Sequence, residues 1–221
     1  MFNHTHHKSL RYALVSFLIL ILLEVIAYNG FFIRITGFLP RYGLWILYLD
    51  LSIVTLGASL VYMLSYKSHV PCMTGMMIGM TFGMQAGMML GAVVGATNGF
   101  FTGAMVGMII GVVAGTWSGT SSGTMGWMQG MMAGVMGGTM GAMITVMMFT
   151  DHIDIFMPFY MLINIIILAG FMKMYHEEIV VDNKDLEKRH IDLVTYTSAC
   201  IILTAILMII MVYGPKSPLF A

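Results

Sequence analysis

Glycine recurs at every fourth position from Gly75 to Gly123, thirteen times without a miss, and after a slip of three residues resumes at Gly126, Gly130, Gly134 and Gly138. In water, helices built this way would lose about 1 kcal/mol per glycine relative to alanine and would melt. In hydrocarbon the backbone has no water to bond, so the helix persists. There glycine lets two helix backbones approach closely and gain dispersion and Cα–H contacts that lipid tails cannot match. A four-residue period overshoots the 3.6-residue turn, so the stripe winds around the helix and favours a right-handed crossing. The pattern predicts three helices packed glycine to glycine, with the same surfaces open to a homo-oligomer.

The rest of the chain agrees with a membrane setting. Of 221 residues, 59% are hydrophobic and only 9% charged, against roughly a quarter charged in a water-soluble domain. Ten basic and ten acidic residues leave no net charge to attract nucleic acid, which is excluded as a partner. Helical crossing of ~30 Å of hydrocarbon takes about 20 apolar residues. Seven such runs occur: Tyr12 to Ile33, Leu44 to Ser65, Cys72 to Gly95, Gly99 to Gly115, Thr124 to Phe149, Ile155 to Met174, and Leu193 to Tyr213. The third to fifth come from the glycine-rich stretch 72–150, which must fold back at the polar breaks 96–99 and 116–123. The expected fold is an all-α integral membrane protein of about seven transmembrane helices around a central three-helix glycine unit. Its parts would be a tail (1–11), a two-helix unit (12–65), the three-helix unit (72–150), and two C-terminal helices (155–213) with a loop at 175–192.

Orientation follows from the basic residues. Lys8, Arg11, Lys67, Lys173, Lys184, Lys188 and Arg189 fall on the N-terminal side, against Arg34, Arg41 and Lys216 on the other. Seven against three places the N-terminus in the cytoplasm of a plasma membrane, with a bacterial inner membrane expected. The first apolar run is too long for a signal h-region and contains Glu24, so it stays as a helix. Two cysteines, Cys72 and Cys200, make no disulfide framework. With no phosphate loop, dinucleotide fingerprint or nucleophile elbow in the chain, no enzyme is expected.

Methionine is the second anomaly. Of 26 methionines, 18 fall between Met73 and Met148. Met76, Met80, Met84 and Met88 each follow a repeat glycine, and Met128, Met132, Met136 and Met140 recur at the same spacing in the fifth span. Residues four apart share a helical face, so each helix carries a ladder of thioethers. These spans start on the same side of the membrane, so the ladders run parallel and are expected to face one another. Thioether sulfur is soft and binds without losing a proton, which selects Cu(I). His69, Cys72 and Met73 stand at the inner mouth of the first ladder and add an imidazole, a thiol and a further thioether. Methionine also fills irregular gaps, and a methionine stripe in an apolar helix is an ordinary packing device.

Met-x-x-x-Met combined with Gly-x-x-x-Gly, as in Met76, Met80, Met84 and Met88 beside Gly75, Gly79, Gly83 and Gly87, resembles the membrane core of the Ctr copper importers. The glycine spacing by itself resembles that of glycine-zipper membrane proteins. The first resemblance implies that layers of thioethers pass Cu(I); the second implies a packing mode.

Two carboxylic acids interrupt the apolar runs. Glu24 and Asp50 lie roughly 18 and 22 Å from the inner ends of the first two spans by helical rise, at depths where they could meet. A charge there costs about 2.5–3.5 kcal/mol on insertion scales, which makes proton or cation coupling the default expectation. Their alternative is a neutral role, hydrogen-bonded to Tyr28, Asn29, Tyr48 or Ser52. Gln85, Gln129 and Asn164 are expected to make interhelical hydrogen bonds. Three functions therefore stand open: soft-metal transport or binding, a structural subunit assembled through its glycines, and a proton-coupled carrier of an organic solute.

Overall fold

The computed structural model describes residues 2–30, 38–67, 70–180, 187–188 and 193–217. These residues form α1 (Phe2–Gly30), α2 (Phe38–Leu64), α3 (Cys72–Asn98), α4 (Phe100–Gly119), α5 (Thr124–Met148), α6 (Ile153–Tyr175) and α7 (Leu193–Tyr213). Helices α2 to α7 are each long and apolar enough to cross a membrane, and α1 carries a shorter apolar stretch, Ala13–Ile26. The chain is an all-α, multi-pass membrane protein. A two-residue antiparallel pairing, Tyr66 with Lys188 and Lys67 with Glu187, ties the α2–α3 connection to the segment before α7.

The chain reverses in the glycine-rich stretch where expected, and the reason is local. Gly99 and Gly123 adopt φ of +104° and +82°, values that a side chain resists, and each stands immediately before a new helix. Two helices begin earlier than the apolar runs suggest. α1 takes in the polar residues from Phe2 onward, and α2 starts at Phe38 with Pro40 in its first turn, where a missing N–H costs nothing.

Helix α3 is the axis of the molecule. α4 and α5 pack against one side of it and against each other, and α2, α6 and α7 cover the other side. The glycines explain the closeness. A Cβ added to Gly83 would stand 2.8 Å from the Gly130 carbonyl oxygen and 2.9 Å from Gly115 Cα. One added to Gly107 would meet Gly91 Cα at 2.8 Å and Gly138 Cα at 2.9 Å. Each helix thus touches the other two backbone to backbone. Gly137 and Gly141, off the main period, make a further contact with the α3 backbone at Met84 and Met88.

Polar groups close both ends. On the near face, where α2 ends and α3 begins, the Tyr175 hydroxyl donates to the Met63 and Tyr66 carbonyls, and Tyr62 Oη lies 2.7 Å from His176 Nδ1. His176 opens a wide π turn, 176–180, that continues α6. On the far face the Asn98 amide donates to the Ile210 carbonyl at 3.0 Å and the Thr102 hydroxyl to the Pro215 carbonyl at 2.9 Å. Ser217 N–H returns to the Asn98 carbonyl, so the chain after α7 straps the α3–α4 turn.

Candidate functional site

The site grows from two helical stripes of four-residue spacing. On α1, Ser16 and Leu20 are buried and Glu24 partly buried, while Leu18, Leu22 and Val25 point outward. On α2, Tyr42, Ile46, Asp50 and Val54 form the matching buried stripe. Because α1 packs mainly on α2, the stripes meet, and the carboxyl of Glu24 lies against that of Asp50 within hydrogen-bonding reach. Asp50 has no solvent exposure.

Asp50 Oδ1 and Oδ2 and Glu24 Oε1 are buried and receive no hydrogen bond from a donor group, and no ion pair among the described residues includes either acid. Two of the neighbours named as neutral partners, Ser52 and Asn29, bond elsewhere. The Ser52 hydroxyl donates to the Tyr48 carbonyl at 2.7 Å and lies 3.7 Å from Met161 Sδ, and the Asn29 amide donates to the Val25 carbonyl. A carboxyl group donates only when it holds a proton, so a hydrogen bond between Glu24 and Asp50 requires one proton on the pair. From α7, Cys200 packs at Gly57 of α2, one turn along from Tyr196, whose hydroxyl donates to the Val54 carbonyl at 2.9 Å. Sequence reading excluded only a disulfide framework for Cys200; its inward direction is marked by the four-residue series Tyr196, Cys200 and Thr204, all buried.

At the far end of the same stripes, Tyr42 packs with Ile46 against Tyr28, Met208 and Val212. Lys216 Nζ donates to the Tyr42 hydroxyl and sits 5.1 Å from the centre of its ring.

The methionine ladders are placed differently from expectation. On α3, Met76, Met84 and Met88 are partly buried and Met80 is 43% exposed, along the seam with α5. On α5, Met128, Met132, Met136 and Met140 are 42–61% exposed and lie on the outer surface of the bundle. The two ladders do not face each other across an enclosed interior, because the small residues Gly130, Gly134, Gly137, Gly138 and Gly141 occupy the inward face of α5. One polar contact crosses the seam: Gln129 Nε2 lies 3.4 Å from Met80 Sδ. Cys72 and Met73 are exposed at the near face, and His69 lies outside the described residues.

Of the other amides, Asn164 donates to the Tyr160 carbonyl within its own helix, and the buried Gln85 Oε1 has no hydrogen-bond partner. Among the described residues no group of three His, Cys, Asp or Glu is arranged to hold a metal ion. Comparison with protein-family models, with curated proteins and with solved structures finds no match.

Proposed function

We propose that this chain is a plasma-membrane transport protein, with its N-terminus in the cytoplasm, whose ion site is the Glu24–Asp50 pair. The observation that carries the reading is two adjacent carboxyl groups, Asp50 buried and Glu24 partly so, with no cationic partner among the described residues and no donor group on Asp50 Oδ1, Asp50 Oδ2 or Glu24 Oε1. Such a pair disfavours double ionisation, so it holds one proton and exchanges it, or a small monovalent cation, when one side of the bundle opens. The glycine-zipper unit α3–α4–α5 is the rigid part against which α1, α2 and α7 move, since backbone contacts leave it no slack.

The test is proton flux into liposomes holding the purified protein and a trapped pH dye, driven by an imposed pH gradient. Wild type is expected to raise the flux at least tenfold above empty liposomes. Glu24→Gln and Asp50→Asn should each remove the increase while the protein stays folded and monodisperse. Full flux in both variants overturns the reading.

One observation favours a second reading, in which Cu(I) is the cargo. The Gln129–Met80 contact marks a seam along which Met76, Met80, Met84 and Met88 follow one another, leading from Cys72 and Met73. Weak soft sites in series suit passage of a soft ion. In that reading Met80→Leu with Met84→Leu lowers the Cu(I) bound per chain, whereas changes at Met128, Met132, Met136 and Met140 do not. Liposomes inert to both protons and Cu(I) would leave a glycine-zipper scaffold subunit.

A further inference from the structure

A crevice of about 370 Å³ opens between α2, α3, α4 and α7, with Ile53, about one helical turn from Asp50, at one end, a size typical of small-ligand pockets. It is apolar almost throughout, and Tyr196 and Cys200 are among the α7 residues that line it. Its placement along the helices is informative. The deepest residues on α2, α4 and α7, Ile53, Ile110 and Leu203, stand near the midpoints of their helices. The opposite end, at Leu64, Trp117 and Thr195, lies at the near-face ends of the same three helices. From Ile53 to Leu64 the helix rises about 16 Å, close to the ~15 Å depth of one leaflet's hydrocarbon. The crevice therefore runs lengthwise through a single leaflet and stops at mid-membrane. Trp117, 57% exposed at its outer end, is the side chain that favours the headgroup level.

We propose that this crevice is a binding site for one acyl chain of a phospholipid in the near-face leaflet, held lengthwise with its headgroup beside Trp117. A bilayer chain is the apolar molecule of matching length and direction, and it is present wherever the crevice opens. A bound chain covers Tyr196 and Cys200, the α7 side chains that line the crevice.

The experiment uses full-length protein with Trp45→Phe and Trp127→Phe, leaving Trp117 as the reporter. Phospholipid brominated along its acyl chain is titrated into detergent-purified, delipidated protein, and quenching of Trp117 is followed. The expected result is a saturable phase at about one lipid per chain. Quenching that only rises in proportion to brominated lipid, as for any annular contact, overturns the proposal. Ala199→Leu and, separately, Ala114→Leu fill the crevice from two walls, so one foldable variant suffices. Either should abolish the saturable phase while cooperative thermal unfolding persists, and a saturable phase unchanged in a folded variant overturns the site. A protein that remains a dimer by mass in lipid-free detergent, with no saturable phase, shows the crevice filled by a second copy and likewise overturns it. Glu24→Gln and Asp50→Asn should leave the lipid phase intact, so this site and the ion site are tested separately.

Discussion

At the scale of single residues, the glycines divide by what their missing side chain would meet. Gly130 and Gly138 have backbone atoms of α4 where a Cβ would go, whereas Gly170, also within a helix, has nothing within 4 Å. Backbone cannot rotate aside as a flexible side chain can. Gly138→Ala is therefore expected to cost about 3 kcal/mol, at the upper end of ordinary overpacking, because three helices must move apart together. Gly170→Ala should cost nothing. Reversible unfolding of both variants by SDS in mixed micelles checks this, and equal stabilities would refute the close-packed bundle. Gly123 supplies a third case. It has open space around it but φ of +82°, so alanine there should cost roughly 1–2 kcal/mol through backbone strain alone.

At the scale of elements, methionines separate by helix face. Met89, Met157 and Met161 are 0–1% exposed, whereas Met128, Met132, Met136 and Met140 turn away from the bundle and meet lipid. Met161→Ala should cost about 2–5 kcal/mol as a core truncation. Replacing Met128, Met132, Met136 and Met140 by leucine one at a time should each cost less than about 1.5 kcal/mol. The same unfolding titration reads both, and a large loss from any α5 change would show that this face is buried by a partner. This division also marks what sequence could tell. The all-α membrane architecture, the two reversals in the glycine block and the glycine face of α4 and α5 were legible, because length, polarity and a missing side chain each have one physical meaning in a membrane; of the seven expected spans, six helices are long and apolar enough to cross. The direction of the α5 methionines was not, since a thioether stripe is equally apolar against protein or acyl chains. Gly137 and Gly141, between those methionines, held the missing information: they put the small face of α5 toward α3 and left the sulfur outside. The meeting of Glu24 and Asp50 was legible from depth alone. The packing of Cys200 and Tyr196 on α2 was not, because α7 is separated from α2 by four other helices and no periodicity records that they touch.

At the scale of the whole molecule, an ion site at mid-depth works only if one closed end can open. Near-face closure comes from Tyr62, Tyr175 and His176, all on helices that also contact α3 or each other through broad apolar surfaces. The far face is different. Among the described residues the closure there is a strap of four residues, 214–217, held by Asn98, Thr102 and Tyr42, next to the stripe that leads through Ile46 to Asp50. In the proposed transport cycle this strap is the end that opens. Asn98 is its anchor: the residue is 1% exposed, its side-chain amide donates to the Ile210 carbonyl where the strap leaves α7, and its main-chain carbonyl receives Ser217 N–H. Asn98→Ala removes that donor and also the Oδ1 that accepts from the Thr97 hydroxyl, a loss of about 1–3 kcal/mol. Thr102→Val removes one less buried bond and should cost about 1 kcal/mol. If the strap gates the carboxyl pair, Asn98→Ala should raise the initial rate of proton flux severalfold, Thr102→Val should raise it less, and adding Asp50→Asn to either should cancel the gain. Flux unchanged in Asn98→Ala, with hydrogen exchange showing the amides of the strap newly exposed, would mean that the far face opens without consequence and that protons reach Asp50 from the near side.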